Sequence, residues 1–307
     1  KLTAAVNNAF DSKGQKKKRS RAVLVIYKDH IIAEKYDTGF TKNSKILGWS
    51  MTKSITATLF GILQKQGKYD INKPAPIPEW QKDERKKITT NDLLHMNSGL
   101  EWEEAYDKIC DATKMLFIAE DMGRVQLEKP AAFAPNTHWN YSSGTSNLLS
   151  YILRKQFKTH QEYLDFWYAQ LIDRIGMHSM LIETDMVGNY VGSSYGWATA
   201  RDWAKFGLLY LHKGNWNGDQ VFDPSWENYV STPTNDSKEG YGAHFWLNAG
   251  GHFPAAPRDM YSCKGYQGQK VFIIPSLDLV IVRMGLSDEG KYDVNELLAG
   301  VIGSFKK

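Results

Sequence analysis

Ser50 and Lys53 are the two residues of this chain whose types and spacing most directly suggest chemistry. Side chains three positions apart on a helix lie on one face, about one turn from each other, and can touch. A serine hydroxyl is a weak nucleophile until a neighbouring base removes its proton. A lysine amine is such a base when burial and nearby positive charge lower its pKa. The pair therefore predicts an activated serine.

The same pattern also has an ordinary structural explanation. A serine can cap a helix with a solvated lysine behind it, and S-x-x-K arises by chance in a chain of this length. The surrounding sequence favours the chemical interpretation, because the next segment is apolar on one side and stops at Gly67. A serine in the first helical turn also lies beside unpaired backbone N–H groups.

Two other segments carry candidate site residues. Residues 140–143 precede a predicted helix, and the Tyr141 phenol can relay a proton or share charge with a neutral lysine. A packed tyrosine before a helix cap is the alternative. In residues 263–269, a glycine lets a substrate or another backbone approach closely, and a backbone N–H there could complete an oxyanion hole with that of Ser50. The glycines equally fit a bulge or turn.

Composition excludes several other classes of function. A chain of 307 residues with 42% apolar residues can bury a large core. Its net charge of +4 is mild, and the basic run at 16–21 lacks the interleaved aromatic residues of a nucleic-acid site. No apolar run is long enough to span a membrane. The histidines have no metal-binding spacing, so we expect neither metal nor cofactor, and we expect free thiols at Cys110 and Cys263.

The order of predicted elements indicates an α+β fold. Strand patterns near both ends enclose a helical middle, which predicts one α+β domain built from both ends of the chain with a mostly helical domain inserted. The predicted ranges are 1–80 with 190–307 for the first domain and 81–189 for the second. Ser50 would then lie in the cleft between them. Helices are predicted at residues 1–20, 105–122, 146–157, 160–175, 200–213 and 294–305, and a β-hairpin at 22–36.

Several separated segments resemble the serine β-lactamase-like family, which includes class C β-lactamases, D-alanyl-D-alanine carboxypeptidases, related carboxylesterases and 6-aminohexanoate-dimer hydrolases. The S-x-x-K of Ser50 and Lys53 is one motif of that family, and Tyr141-Ser142-Ser143 resembles its Y-x-N/S motif. The further matches are I-T-T with L-L-H-M-N-S-G-L within 88–100, F-A-P-N-T-H-W-N-Y-S-S at 133–143, T-A-R-D-W-A-K-F-G at 199–207 and K-G-N-W-N-G at 213–218. The resemblance extends over residues 20–285, with the histidine of the first match one position early.

The resemblance implies a fold and a role for each matching residue. Ser50 would be the acylated nucleophile, Lys53 its general base and Tyr141 the proton relay. The groups that would hold substrate or the oxyanion are Ser50, Ser143, Gly265 and Tyr266. The implied fold is β-lactamase/transpeptidase-like, an antiparallel sheet flanked by helices. Family habit adds the expectation of a periplasmic or extracellular location.

The third motif departs from the family pattern. K-T-G or H-x-G is usual, whereas Cys263 here replaces the basic residue before Lys264 and Gly265. That basic residue helps to hold the carboxylate of β-lactams and D-Ala-D-Ala peptides, so its loss disfavours both substrates unless Lys264 takes its place. G-Y-Q-G-Q at 265–269 resembles the 6-aminohexanoate-dimer hydrolase and esterase branch.

We therefore expect a cofactor-free serine hydrolase that cleaves an ester or linear amide in a small-molecule or peptide-like substrate, with no nucleic-acid partner. Two alternatives stay open: a penicillin-recognising β-lactamase or carboxypeptidase, and a non-catalytic binding protein on the same fold. The remaining candidates are expected to be structural. Four tryptophans could line the cleft but are expected in core packing: Trp49, Trp139, Trp197 and Trp246. His95 and His138 are expected to be structural, and Asp202 to be a helix-surface or hydrogen-bonding residue. Glu101 and Glu103 follow a segment near the family's cleft wall but are expected in a solvated loop.

Overall fold

A computed structural model describes residues 1–288 and 292–305, so the end of the predicted α+β segment lies partly outside the described residues. The strands are β1 (Ser20–Tyr27), β2 (His30–Tyr36), β3 (Ile46–Leu47), β4 (Leu181–Ile182), β5 (Gly196–Ala198), β6 (Asn215–Trp216), β7 (Asp219–Gln220), β8 (Trp246–Leu247), β9 (Tyr261–Gly265), β10 (Gln269–Ile274) and β11 (Leu279–Gly285). The helices are α1 (Leu2–Asn8), α2 (Thr52–Lys65), α3 (Thr90–Leu94), α4 (Asp111–Ile118), α5 (Met122–Leu127), α6 (Ser143–Arg154), α7 (His160–Trp167), α8 (Ala200–Leu211), α9 (Pro224–Ser231) and α10 (Val294–Ser304).

The main sheet is antiparallel throughout, in the strand order β2-β1-β11-β10-β9-β8. Side chains alternate across a strand, and those of β1 enter two separate cores. Leu24 and its alternate neighbours pack towards α2 and α8, whereas Val23 and Val25 pack towards the terminal helices α1 and α10. Helices therefore cover both faces of the sheet. The predicted α+β class, with an antiparallel sheet flanked by helices, is confirmed.

The predicted hairpin at 22–36 is present as β1 and β2. Lys28 and Asp29 connect the strands, and both have left-handed backbone angles, with φ of 48° and 64°. Left-handed residues in a two-residue connection give the chain the twist that antiparallel neighbours need. Asn217 and Gly218 form the same kind of turn between β6 and β7.

A second, three-stranded sheet leads the chain into the predicted site. Its order is β3-β5-β4, and β3 pairs with β5 immediately before the serine motif. The Gly48 N–H continues that contact by donating to the Gly196 carbonyl at 2.8 Å. The backbone two residues before Ser50 is thereby fixed to the sheet before α2 begins.

Two predicted helices are wrong in extent. The helix predicted over 1–20 ends at Asn8, because the Asp11 carboxylate accepts hydrogen bonds from three successive N–H groups, at residues 17–19, and folds that segment into a loop. The helix predicted over 105–122 begins only at Asp111 and stops at Ile118, with an irregular segment before it. The α9 helix was not predicted.

One large apolar core connects the sheet, α2, α6 and α8. It contains side chains from both predicted domain ranges, and the division into 1–80 with 190–307 and 81–189 stays a prediction. In the part of the chain that the structure describes, no helix is long and apolar enough to cross a membrane.

Candidate active site

Ser50 lies in a short 3₁₀ turn, Trp49–Met51, that runs directly into α2. Trp49 holds a φ of 49°, an uncommon conformation for a bulky residue. Such strain occurs where the surrounding structure over-determines the backbone, and it often marks a functional turn. Here it redirects the chain between β3 and α2, and it places the partly exposed Ser50 in the wall of a cavity.

Lys53 belongs to the first turn of α2 and is 2% exposed. Its Nζ donates to Ser50 Oγ at 3.1 Å, to Ser143 Oγ at 2.9 Å and to the Ser193 carbonyl at 2.8 Å. An ammonium has three donors, and these contacts use all of them. The predicted contact between Ser50 and Lys53 is therefore present, and Lys53 is held in one position by three separate segments of the chain.

The Lys53 ammonium loses its proton more readily than that of an ordinary lysine. Burial lowers its pKa from the ordinary value to about 8, and the Glu104 carboxylate opposes that shift. Burial disfavours the charged form, whereas a nearby anion favours it. A substantial fraction of Lys53 is therefore neutral at mildly alkaline pH.

Glu104 is a site residue that the sequence analysis missed. Its Oε1 accepts from Ser143 Oγ at 2.6 Å, and its Oε2 accepts from the Ser143 N–H at 2.6 Å. The Trp102 indole donates to Oε2 at 2.7 Å, and the Tyr106 hydroxyl donates to Oε1. The carboxylate is thus tied to the first residue of α6, where a helix dipole favours negative charge.

Glu104 and Lys53 communicate through one hydroxyl. Ser143 accepts from the lysine and donates to the carboxylate, so a continuous chain of hydrogen bonds joins Glu104, Ser143, Lys53 and Ser50. Because such chains polarise one another, a charge that forms on Lys53 is felt by Glu104. The structure brings Ser50, Lys53 and Ser143 together as predicted and adds the carboxylate.

Tyr141 also lies at the cavity. It lines the same cavity as Ser50, and the Lys53 Nζ lies 5.1 Å from the centre of its ring. Burial, with a smaller contribution from the Glu104 charge, raises the pKa of the Tyr141 phenol well above its usual value. The side chain therefore remains a protonated phenol at neutral pH and is available as a proton donor.

Gly265 brings the end of β9 against the start of the serine motif. A Cβ at this position would lie 2.0 Å from the Gly48 carbonyl oxygen, which no real side chain tolerates. The glycine therefore permits the close backbone approach that the sequence predicted. Tyr266 follows directly, and its ring packs edge-on against Trp49 with 5.8 Å between ring centres.

Cys263 and Lys264, the altered residues of the third motif, point in opposite directions. Cys263 lies in the core, and burial raises its pKa to about 12. Lys264 lines the cavity, where its Nζ sits 4.5 Å from the centre of the Trp246 ring. The position equivalent to the usual basic residue is therefore inaccessible, and the accessible cation is one residue later. Cys110 and Cys263 are both free thiols.

A cavity of about 610 Å³ opens beside Ser50. Trp139 and Trp246 line it, so the expectation that these two tryptophans serve core packing is wrong. The Trp246 ring contacts both Trp139 and Tyr141. The cleft therefore has an aromatic wall next to the nucleophile.

Trp49 and Trp197 are half-buried and lie outside the apolar cores, so the expectation of core packing is wrong for them as well. Asp202 is buried and accepts from the Ser179 N–H and hydroxyl, whereas Glu101 and Glu103 are exposed. His244, which the sequence analysis did not single out, is buried and binds the Leu94 carbonyl and the Ser146 hydroxyl, and burial lowers its pKa to about 3. Within residues 1–288 and 292–305, no cluster of three or more potential ligands could hold a metal ion.

A family model described as Beta-lactamase matches residues 6–297. The chain belongs to the beta-lactamase family. The resemblance to serine β-lactamase-like proteins is therefore confirmed, and membership supports a serine hydrolase in general terms. No curated protein sequence matches this beta-lactamase family chain.

Solved structures show the same fold at low sequence identity. A candidate 6-aminohexanoate-dimer hydrolase from Bacillus anthracis is 21% identical, with a TM-score of 0.77 over 94% of this chain and 78% of that one. A penicillin-binding protein homologue from Caulobacter crescentus is 14% identical, with a TM-score of 0.75 over 99% and 97%. A family VIII carboxylesterase is 16% identical, with a TM-score of 0.74 over 98% and 96%. The predicted β-lactamase/transpeptidase-like fold is confirmed.

Proposed function

We propose that this protein is a serine hydrolase that cleaves an ester or linear amide bond through an acyl-enzyme on Ser50. The observation that carries the proposal is the 3.1 Å contact between Lys53 Nζ and Ser50 Oγ at a fully buried amine. A lysine whose pKa lies near 8 can be neutral and can accept the serine proton. A merely structural lysine would gain nothing from this placement.

Acylation begins when neutral Lys53 takes the proton of Ser50 and the serine oxygen attacks the carbonyl carbon. The new ammonium remains stabilised by Ser143, by the Ser193 carbonyl and, through Ser143, by Glu104. Charge formed in the step thus meets groups that are already oriented, and little reorganisation is required.

Collapse of the tetrahedral intermediate requires a proton on the leaving oxygen or nitrogen. Tyr141 donates it from its phenol, and the Lys53 ammonium returns a proton to Tyr141. Water then attacks the acyl-enzyme as the same groups act in the reverse order. The proposed oxyanion donors are the N–H groups of Ser50 and Tyr266, which the close approach at Gly265 supports.

The bond is proposed to be an ester or a linear amide. The buried Cys263 supports this choice over a β-lactam, because the usual basic residue is missing from that position. The names of two structural neighbours, a candidate 6-aminohexanoate-dimer hydrolase and a carboxylesterase, are in keeping with it. The periplasmic or extracellular location stays a prediction.

The proposal is tested with a fluorophosphonate probe and a series of p-nitrophenyl esters of increasing chain length. Wild type is compared with Ser50→Ala, and with Ser231→Ala as a matched serine outside the cavity. We expect labelling and turnover in wild type and Ser231→Ala, and a loss of at least about 10³-fold in Ser50→Ala.

A fluorescent penicillin is added as a second acylating agent. Acylation by penicillin that exceeds ester turnover would replace the proposal with the β-lactamase or carboxypeptidase alternative. If wild type neither labels nor hydrolyses any of these compounds, the binding-protein alternative is favoured instead.

A further inference from the structure

The cavity beside Ser50 has a second wall, which the proposed chemistry does not use. Lys264 on β9, Lys270 on β10 and Arg283 on β11 lie directly opposite one another across three neighbouring strands, and all three line the cavity. Opposite residues of antiparallel strands have side chains on the same face, where like charges repel. Three cations at such positions require an explanation.

The fold itself explains Arg283, which is fully buried. Its guanidinium donates to the carbonyls of Lys18 (2.5 Å), Gln267 (3.2 Å) and Gly268 (2.8 Å) and to the hydroxyls of Ser20 (3.1 Å) and Ser287. These contacts occupy all of its nitrogens. Arg283 therefore fastens the turn after β9 and has no donor left for a ligand.

Lys270 has no such explanation. It is 5% exposed and lines the cavity, yet its ammonium has no hydrogen-bond acceptor and no carboxylate partner among the described residues. Burial, and then the charges of Lys264 and Arg283, lower its pKa well below the usual range. A lysine ammonium that is buried without a partner destabilises a fold, and an anion beside it removes that penalty. The presence of Lys270 in a cavity wall indicates that an anion completes the site.

The acidic residues of the cavity have other partners. Glu104 binds Ser143, and Asp288 lies 3.8 Å from a nitrogen of Arg19. The Asp293 carboxylate caps α10 by accepting an N–H of that helix at 2.8 Å. The charged neighbours that act on Lys270 are cations. Nothing in the described residues supplies the missing negative charge.

We propose that this wall is a subsite for a carboxylate of the substrate, with Lys270 as its principal contact and Lys264 beside it. The inference rests on the proposed hydrolase function and narrows the substrate to a linear ester or amide that carries a free carboxylate. A carboxylate on an organic chain fits better than a bare phosphate, because Phe253, Trp246 and Tyr266 give the cavity aromatic surface. The missing basic residue at Cys263 is thus replaced by cations on the other face of the strand.

The kinetic test uses two pairs of esters that differ only in charge. In the first pair the carboxylate charge lies on the acyl side, and mono-p-nitrophenyl suberate is compared with its methyl ester. In the second pair the charge lies on the leaving group, and 3-(4-acetoxyphenyl)propanoate is compared with its primary amide. We expect wild type to prefer the anionic member of one pair by about 10-fold or more in kcat/KM, chiefly through KM.

Lys270→Met keeps the length and packing of the side chain without its charge. It should reduce that preference to about twofold or less, whereas Lys114→Met, an exposed control, should keep it. Equal rates for both members of both pairs in wild type would overturn the proposal. An undiminished preference in Lys270→Met would also overturn it.

A binding measurement separates failure of the subsite from failure of the hydrolase. In Ser50→Ala protein, suberate at about ten times its Kd should raise Tm by about 2 °C at constant ionic strength, and adding Lys270→Met should abolish the shift. This readout needs no turnover, so it stands even if no ester is hydrolysed. An equal shift with inorganic phosphate, or none with suberate, would contradict a carboxylate subsite.

Discussion

Lys53 and Lys270 are both buried lysines in or beside one cavity, and their surroundings are opposite. Lys53 has an acceptor for each of its three donors and a carboxylate one hydroxyl away. Lys270 has none among the described residues, and its charged neighbours are Lys264 and Arg283. Burial lowers the pKa of both lysines. The first site is complete in the free protein, whereas the second lacks a negative charge.

The difference separates two uses of a desolvated cation. A base must be neutral at the start of the reaction and must be stabilised once it is protonated, so its acceptors belong to the protein. A binding group gains most when the ligand itself provides the missing partner, because the cation then loses its desolvation penalty on binding. Substitutions at the two lysines and their neighbours can test this contrast between Lys53 and Lys270.

The largest effect is expected at Lys53. Arginine retains the positive charge and the donors but cannot become neutral, whereas methionine removes both. If Lys53 is a base, Lys53→Arg and Lys53→Met should each lose about 10³-fold or more in kcat/KM. Stopped-flow acylation by p-nitrophenyl acetate measures this, and substantial activity in Lys53→Arg would show that the lysine serves only as a fixed charge.

The contribution of Tyr141 to the hydrolysis rate is expected to depend on the leaving group. p-Nitrophenolate can leave without a proton, whereas the leaving group of an alkyl ester or amide must be protonated as it departs. Tyr141→Phe should therefore slow the hydrolysis of alkyl esters or amides by about 10²-fold and that of p-nitrophenyl esters much less. Tyr241→Phe, which removes a hydroxyl from a ring packed against Tyr141, is the matched control. A uniform loss for all leaving groups would assign Tyr141 to positioning alone.

Glu104 is expected to set the pH range of activity. In wild type, kcat/KM should rise with pH, reach half of its plateau near pH 8 and level off above that, because neutral Lys53 is the active form. The Glu104 charge raises the pKa of Lys53, so Glu104→Gln should move this limb to lower pH while reducing the plateau by about 10-fold. Glu103→Gln is the neighbouring, exposed control, and a limb that stays in place or moves upward would exclude the coupling through Ser143.

Lys270 is expected to reduce stability in the absence of ligand. Its folded pKa lies below the unfolded value, so the penalty is fully present below the folded pKa, shrinks as pH rises between the two values and is gone above the unfolded pKa of lysine. Lys270→Met should therefore raise Tm, by about 1.5 °C for each kcal/mol gained, and the gain should shrink at high pH. Calorimetry measures this change. If Lys270→Met had a lower Tm than Lys114→Met at neutral pH, the Lys270 ammonium would have a partner.

The nucleophile and its base could be predicted because their contact is local. Three positions on a helix bring Ser50 and Lys53 together whatever the rest of the fold does, although the serine itself lies in the preceding 3₁₀ turn. The hairpin of β1 and β2 was equally local. These features depend on a few neighbouring residues and survive without tertiary information.

Glu104 could not be assigned in the same way, because its partner Ser143 is 39 positions away. The segment that carries it is irregular, and the acids considered in its place, Glu101 and Glu103, are exposed. One signal was present. In an extended segment alternate residues share a side, and Glu104 lies two positions after the buried Trp102. The cation row of Lys264, Lys270 and Arg283 required the register of three strands, which no local pattern contains.

The buried Arg283 ties the loop before β1 to the turn that follows β9. One guanidinium binds the Lys18 carbonyl on one side and the carbonyls of Gln267 and Gly268 on the other. A shortened protein that began at β1 would leave one of these donors without an acceptor, deep in the molecule. The guanidinium would then hold the turn that carries Tyr266 less rigidly, so we expect trimming at the start of the chain to weaken transition-state binding at Ser50.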